Sequence, residues 1–130
     1  MKAVVCEAFA PLEQLSVKEL PDPVAGPGQV LVDVIAAGVN YPDGLLVQGL
    51  YQFKPELPFT PGNEVAGTIA AVGEGVTQFK PGDRVIGLGM LGGYASKIAL
   101  YEHTVMAIPD EIPAEEAAGL ITAHATAHHA

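Results

Sequence analysis

Fifteen glycines and eleven prolines cut this chain of 130 residues into short runs of valine, isoleucine and alanine. Glycine and proline at that density leave no room for long helices and favour many short strands joined by turns. A mainly β chain follows. Lys2 to Cys6 and Gln14 to Leu20 read as strands, with the rigid connector PDPVAGPG (residues 21–28) after them, because proline fixes φ and removes a donor. In QVLVDVIAAGV, Val30, Val32 and Val34 oppose Leu31, Asp33 and Ile35, so one face is wholly apolar and the other carries a charge, as in a half-buried strand. Further strands are expected at EVAGTIAAVGEGV, RVIGLG, Tyr94 to Leu100 and Thr104 to Ile108, with a turn at KPGD. A short helix is expected over Pro42 to Gln48, with Tyr41 held extended by the proline after it. From Pro113 the character changes: Glu115 and Glu116 suit a helix N-terminus and alanines follow.

Six basic against fifteen acidic residues give a formal charge of −9, which repels phosphate backbones and anionic bilayers and argues against nucleic acid as a partner. A single cysteine, Cys6, excludes an intrachain disulfide and a cysteine-rich zinc site. The opening MKAVVCEAF has no basic and apolar leader, and no run of apolar residues is long enough to span a bilayer. A cytoplasmic protein without a membrane partner is the expectation.

GLGMLGG, residues 87–93, contains a literal G-x-G-x-x-G. Such glycines cradle a dinucleotide only where a strand delivers them into a helix, whose N-terminal amides face the pyrophosphate. RVIGL precedes them, but GGYASKIALYEHTVMAI follows, with strand-like residues where a helix should begin. A tight turn between two strands explains the glycines better, and no other such motif occurs in a βαβ setting.

AAGVNYPD (residues 36–43), PGNEVAGTIAAVGEGVTQFKPGDRV (61–85), GGYASKIAL (92–100) and IPDEIPAEEAAGLITAHATAHHA (108–130) together resemble the medium-chain dehydrogenase/reductase superfamily, in its zinc-independent quinone oxidoreductase branch. The resemblance implies a GroES-like domain over residues 1–122, a partly open β-barrel with a few short helices. It implies that residues 123–130 start the helix leading to a Rossmann domain absent from this chain. It further implies a small-molecule substrate (a quinone, enone or related activated alkene), NADPH bound mainly by the absent domain, and a homodimer in the full-length form.

Zinc-dependent members have cysteine where this chain has Asn40, histidine where it has Asn63, and a further cysteine near Ala118. Amides are poor zinc ligands beside thiolate and imidazole, so no zinc is expected. By the same resemblance Asn40 lies at the cleft edge, either to contact nicotinamide or substrate carbonyl or to lock its loop, and Tyr51 matches a proposed proton donor. A second tyrosine of quinone oxidoreductases is replaced by Leu45, and Tyr41 is a cleft residue that can partly stand in for it. Asp43, Asn63 and Glu64 fall at motif positions in the cleft, and Thr122 either contacts the cofactor or caps a helix. His124 and His128 are four apart and would share a helix face, but no third ligand accompanies them, and His103 and His129 suggest only solvated or packing roles. The competing function is a stand-alone chaperonin-10-like oligomeric binding module, although no Gly-rich mobile loop with an aliphatic anchor is found.

Overall fold

The computed structural model describes residues 1–129. A two-stranded antiparallel ribbon pairs β1 (Lys2–Val5) with β2 (Ser16–Glu19). The main sheet comprises β3 (Gln29–Ala37), β4 (Glu64–Val72), β5 (Arg84–Leu88), β6 (Lys97–Tyr101) and β7 (Val105–Ala107), in the order β6-β3-β4-β5-β7. Every pairing is antiparallel.

β6 and β7 are the two edges of that sheet, yet only Glu102–Thr104 separates them in the chain. A link so short brings the edges together only if the sheet curls on itself, and because β6 and β7 do not pair, the barrel stays partly open. This is the mainly β, partly open barrel expected. Val30, Val32, Val65, Ile69, Val85, Ile98, Leu100 and Val105 fill its interior. Val30 and Val32 are fully buried while Asp33 and Ile35 face outward, as the alternation requires. The β3–β4 ladder is broken between Leu31 and Val32 and between Val34 and Ala36, and such bulges increase the local twist that lets a sheet curl.

α1 (Tyr41–Gln48) packs Leu46 and Val47 against Cys6 and Phe59 beside the barrel. α2 (Ala114–Ala117) lays Ala114 and Ala117, with Ala118 after it, on Ala66 of β4. Small side chains on both sides permit that close approach. A π-helical stretch, Leu120–Ala125, and α3 (Thr126–His129) continue from there. The helix anticipated from residue 123 therefore lies inside a helical segment that begins earlier. Ala130 and the side chains of His124 and His129 lie outside the described residues. No described helix is long and apolar enough to cross a membrane.

Several local expectations need correction. The extended residue before α1 is Asn40, with φ −122° and ψ 153°, and Tyr41 is already helical. Proline is tolerated in the first helical turn, where its missing N–H has no partner to lose. The second strand starts at Ser16, after a 3₁₀ turn over Leu12–Gln14. The strand placed at Tyr94 starts at Lys97 instead, because the Tyr94 carbonyl accepts from Val4 N–H (2.8 Å) and its phenol turns toward α1. The GLGMLGG glycines lie at the end of β5 and in the loop 89–96, which runs to β6 across the barrel end. That loop is longer than a tight turn, and it leads into a strand, not a helix.

Candidate functional site

β3, α1 and β4 converge where three motif stretches meet. Asn40 caps α1, and its backbone N–H donates to the Asp43 carboxylate at 2.9 Å, one arm of a capping box. Asp43 is only 4% exposed. The same carboxylate accepts from the Tyr94 phenol at 2.6 Å. Burial first, and then the Asp43 carboxylate beside it, hold the Tyr94 phenol well above the ordinary tyrosine range, so it remains a neutral donor.

The Asn40 amide nitrogen points the other way. Its Nδ2 donates to Asn63 Oδ1 at 2.9 Å and to Glu64 Oε1 at 3.1 Å. Glu64, 1% exposed, also accepts from the Thr122 backbone N–H through Oε2 at 3.0 Å. One buried carboxylate thus joins the first turn of α1 to the π-helical stretch. Gly38 makes room for it: a Cβ there would come within 2.4 Å of Glu64 Oε1 and 2.5 Å of the Ala118 carbonyl. Asn40, Asn63, Glu64 and Thr122 are therefore one hydrogen-bonded cluster, with the Ala118 backbone against its glycine neighbour.

A groove of about 580 Å³ opens on the α1 side, walled by Leu12, Leu15, Val39, Leu45, Leu50 and Pro61, with Asn40, Tyr41, Asp43 and Tyr94 supplying polar groups. A largely apolar concavity with a few convergent polar groups is the usual form of a small-molecule site. Tyr41 lines it and is 82% exposed. Tyr51 does not line it: it is 38% exposed and follows Leu50, which does. Tyr94 was missed by sequence reasoning, although the only local signal was a tyrosine directly after two glycines. Cys6 lies elsewhere, buried under α1, where burial pushes its thiol up and makes it a poor nucleophile.

The donor set does not suit zinc. Asn40 and Asn63 spend their facing atoms on each other and Ala118 offers a methyl group. Among the described residues no three histidine, cysteine, aspartate or glutamate side chains gather as a metal site would require. For a dinucleotide, the residues suit one end alone. The amides of Asn40 and Asn63 carry the donors and acceptors that a carboxamide edge pairs with, whereas the loop 89–96 offers no strand-to-helix turn for a pyrophosphate.

The family model for the alcohol dehydrogenase GroES-like domain matches residues 26–110. The chain is 37% identical to the synaptic vesicle membrane protein VAT-1 homolog of Rattus norvegicus, over 98% of this chain and 32% of that protein. It is 39% identical to the quinone oxidoreductase of Lama guanicoe, over 100% of this chain and 40% of that protein. Its fold is similar to the crystal structure of Escherichia coli quinone oxidoreductase complexed with NADPH, with a TM-score of 0.87 at 30% identity, covering 91% of this chain and 36% of that one. The chain spans about a third of the length of the first of these relatives. It belongs to the alcohol dehydrogenase GroES-like family, in the quinone oxidoreductase branch of the medium-chain dehydrogenase/reductase superfamily.

Proposed function

We propose that this chain is the substrate-side domain, residues 1–122 with the start of a connecting helix over 123–130, of an NADPH-dependent oxidoreductase that reduces a quinone, enone or related activated alkene without zinc. The observation that carries the reading is the Asn40–Asn63 amide pair at 2.9 Å beside the groove, in place of metal ligands. Relatives named quinone oxidoreductase, one of them complexed with NADPH, support the same reading. The full-length protein is a cytoplasmic homodimer in this reading, acting on a small molecule and not on nucleic acid or a membrane.

When bound, NADPH supplies a hydride. The apolar walls of the groove, Leu12, Leu15 and Leu45, exclude water and hold a flat, electron-poor substrate. As charge builds on the substrate oxygen, a neutral donor must meet it, because an unmet oxyanion in an apolar site raises the barrier. Tyr51 is assigned that donor role, with Tyr41 at the groove wall contacting ligand or cofactor. Asn40 already donates both Nδ2 hydrogens within the protein and its side chain faces the Asp43 backbone N–H in the capping box, so what it can offer without breaking a bond is the remaining lone pair of Oδ1, which suits a carboxamide N–H. Thr122, held by Glu64, offers its hydroxyl to the nicotinamide end of the cofactor.

The test is NADPH oxidation by the full-length protein with 1,4-naphthoquinone and 2-cyclohexen-1-one, with and without a chelator. Turnover that ignores the chelator supports the reading. Absence of turnover with either acceptor, or its loss on chelation, refutes it.

A further inference from the structure

The hydrogen bonds around Glu64 have a direction, and that direction ends at Asn63. Both carboxylate oxygens of Glu64 accept, Oε2 from the Thr122 backbone and Oε1 from Asn40 Nδ2. A backbone N–H cannot reverse its role, so the carboxylate is fixed as the acceptor at one end of the relay. Asn40 must therefore turn its NH₂ toward Glu64; its other orientation would set Oδ1 against a carboxylate oxygen. The second Nδ2 hydrogen then requires an acceptor from Asn63, which presents Oδ1 at 2.9 Å. This leaves the Asn63 NH₂, two donors, pointing away from the cluster. Among the described residues those donors have no hydrogen-bond partner, and Asn63 is half-buried, so they are accessible.

We propose that Asn63, which stands behind the groove-lining Asn40, and not Asn40 itself, is the amide that donates to a carbonyl oxygen of a ligand bound at this edge of the groove, and that Glu64 and Asn40 are positioning residues that set its polarity. The carbonyl belongs either to the substrate or to the carboxamide of the cofactor. A donor aimed in advance costs no reorganisation when charge develops on that oxygen, which is where such groups have their largest effect. The geometry also assigns a purpose to the buried carboxylate beyond packing: a neutral isostere would leave the amides free to turn over. The proposal rests on the reductase reading for its chemistry, but the relay itself stands on the hydrogen bonds.

Side-chain amide NMR of this chain tests the relay directly. The Asn40 NH₂ protons are expected to exchange with solvent at least tenfold more slowly than those of Asn63; the reverse order overturns the proposal. Millimolar 2-cyclohexen-1-one and, separately, nicotinamide mononucleotide are the probes. A shift of the Asn63 NH₂ cross-peak with the enone identifies a substrate contact, and with the nucleotide a cofactor contact. If neither probe moves it, or the Asn40 cross-peak moves in its place, the proposal fails.

Two variants of the full-length protein complete the test. N63D keeps the oxygen that Asn40 donates to and removes the free donors, and is expected to lower kcat by roughly tenfold or more. In E64Q the new amide NH₂ is repelled by the Thr122 N–H and turns to Asn40, reversing the relay so that Asn63 presents oxygen; kcat falls with unchanged thermal midpoint. A protein without cofactor-dependent turnover refutes the reductase reading and leaves the NMR to decide Asn63. Turnover that survives N63D refutes the role of Asn63 and leaves the reductase reading intact.

Discussion

The Tyr94 phenol donates to the Asp43 carboxylate at 2.6 Å and so ties the loop before β6 to the first turn of α1. These residues lie 51 positions apart, and both line the groove. Removing the hydroxyl leaves a buried carboxylate with one donor fewer. Y94F is therefore expected to destabilise the chain by ~1–3 kcal/mol, the usual cost of stranding a buried polar group. Urea unfolding measures it; an unchanged midpoint would show that water replaces the phenol at no cost.

The same pair makes a prediction about alkaline pH. Burial and the Asp43 charge raise the folded pKa of Tyr94 above the unfolded tyrosine value of about 10. Below that value both states hold the proton and the stability is fully present. As pH rises through it the unfolded state loses the proton while the folded state keeps it, so stability falls toward the folded pKa. Stability measured across that range should decline in the wild type and decline less in Y94F. Equal slopes in the two proteins would place the titrating group elsewhere.

What the sequence made legible and what it hid divide along physical lines. Val30 and Val32 against Asp33 announce a strand because the period-two pattern is local, and the KPGD turn and the Glu115–Glu116 helix start are local too. Asn40, Asn63 and Glu64 were reachable because they fall in recognisable motifs. Tyr94 was not, since its meeting with Asp43 exists only once the barrel has curled and the loop 89–96 has crossed its end. The direction of the Asn40 amide was hidden for a similar reason. It depends on the Thr122 N–H, which reaches Glu64 from 58 residues away.

Gly38 is a position where the cluster tolerates no side chain. A Cβ there would meet a carboxylate oxygen, which can swing, and the Ala118 carbonyl, which cannot. G38A is expected to cost ~1–3 kcal/mol through overpacking and to speed exchange of the Thr122 amide. V39A, next door at an 82% exposed position, should stay within about 0.5 kcal/mol of wild type. Similar losses in both would remove the argument from crowding.

Arg84 of β5 holds the segment that leads into α2. One guanidinium nitrogen donates to the Pro109 carbonyl at 3.0 Å and the other to the Ile112 carbonyl at 2.7 Å. A lysine keeps the charge but not the fork. R84K should therefore lose about 1 kcal/mol and raise amide exchange in residues 114–122 more than in the barrel strands. Uniform exchange across both regions would mean that α2 is held by its alanine packing on Ala66 alone.

Tyr51 is the sharpest test of the proposed chemistry, because it does not itself line the groove. It follows Leu50 of the groove wall and begins the irregular loop that leads to Phe59. If its phenol meets the developing oxyanion, Y51F in the full-length protein loses turnover by about 100-fold or more, the usual contribution of general acid catalysis, with the cofactor KM unchanged. Y41F should instead raise the substrate KM and leave kcat nearly intact, since Tyr41 lines the groove as a contact surface. The opposite split, with kcat lost in Y41F and kept in Y51F, would move the donor to Tyr41, the first residue of α1 and a lining residue of the groove.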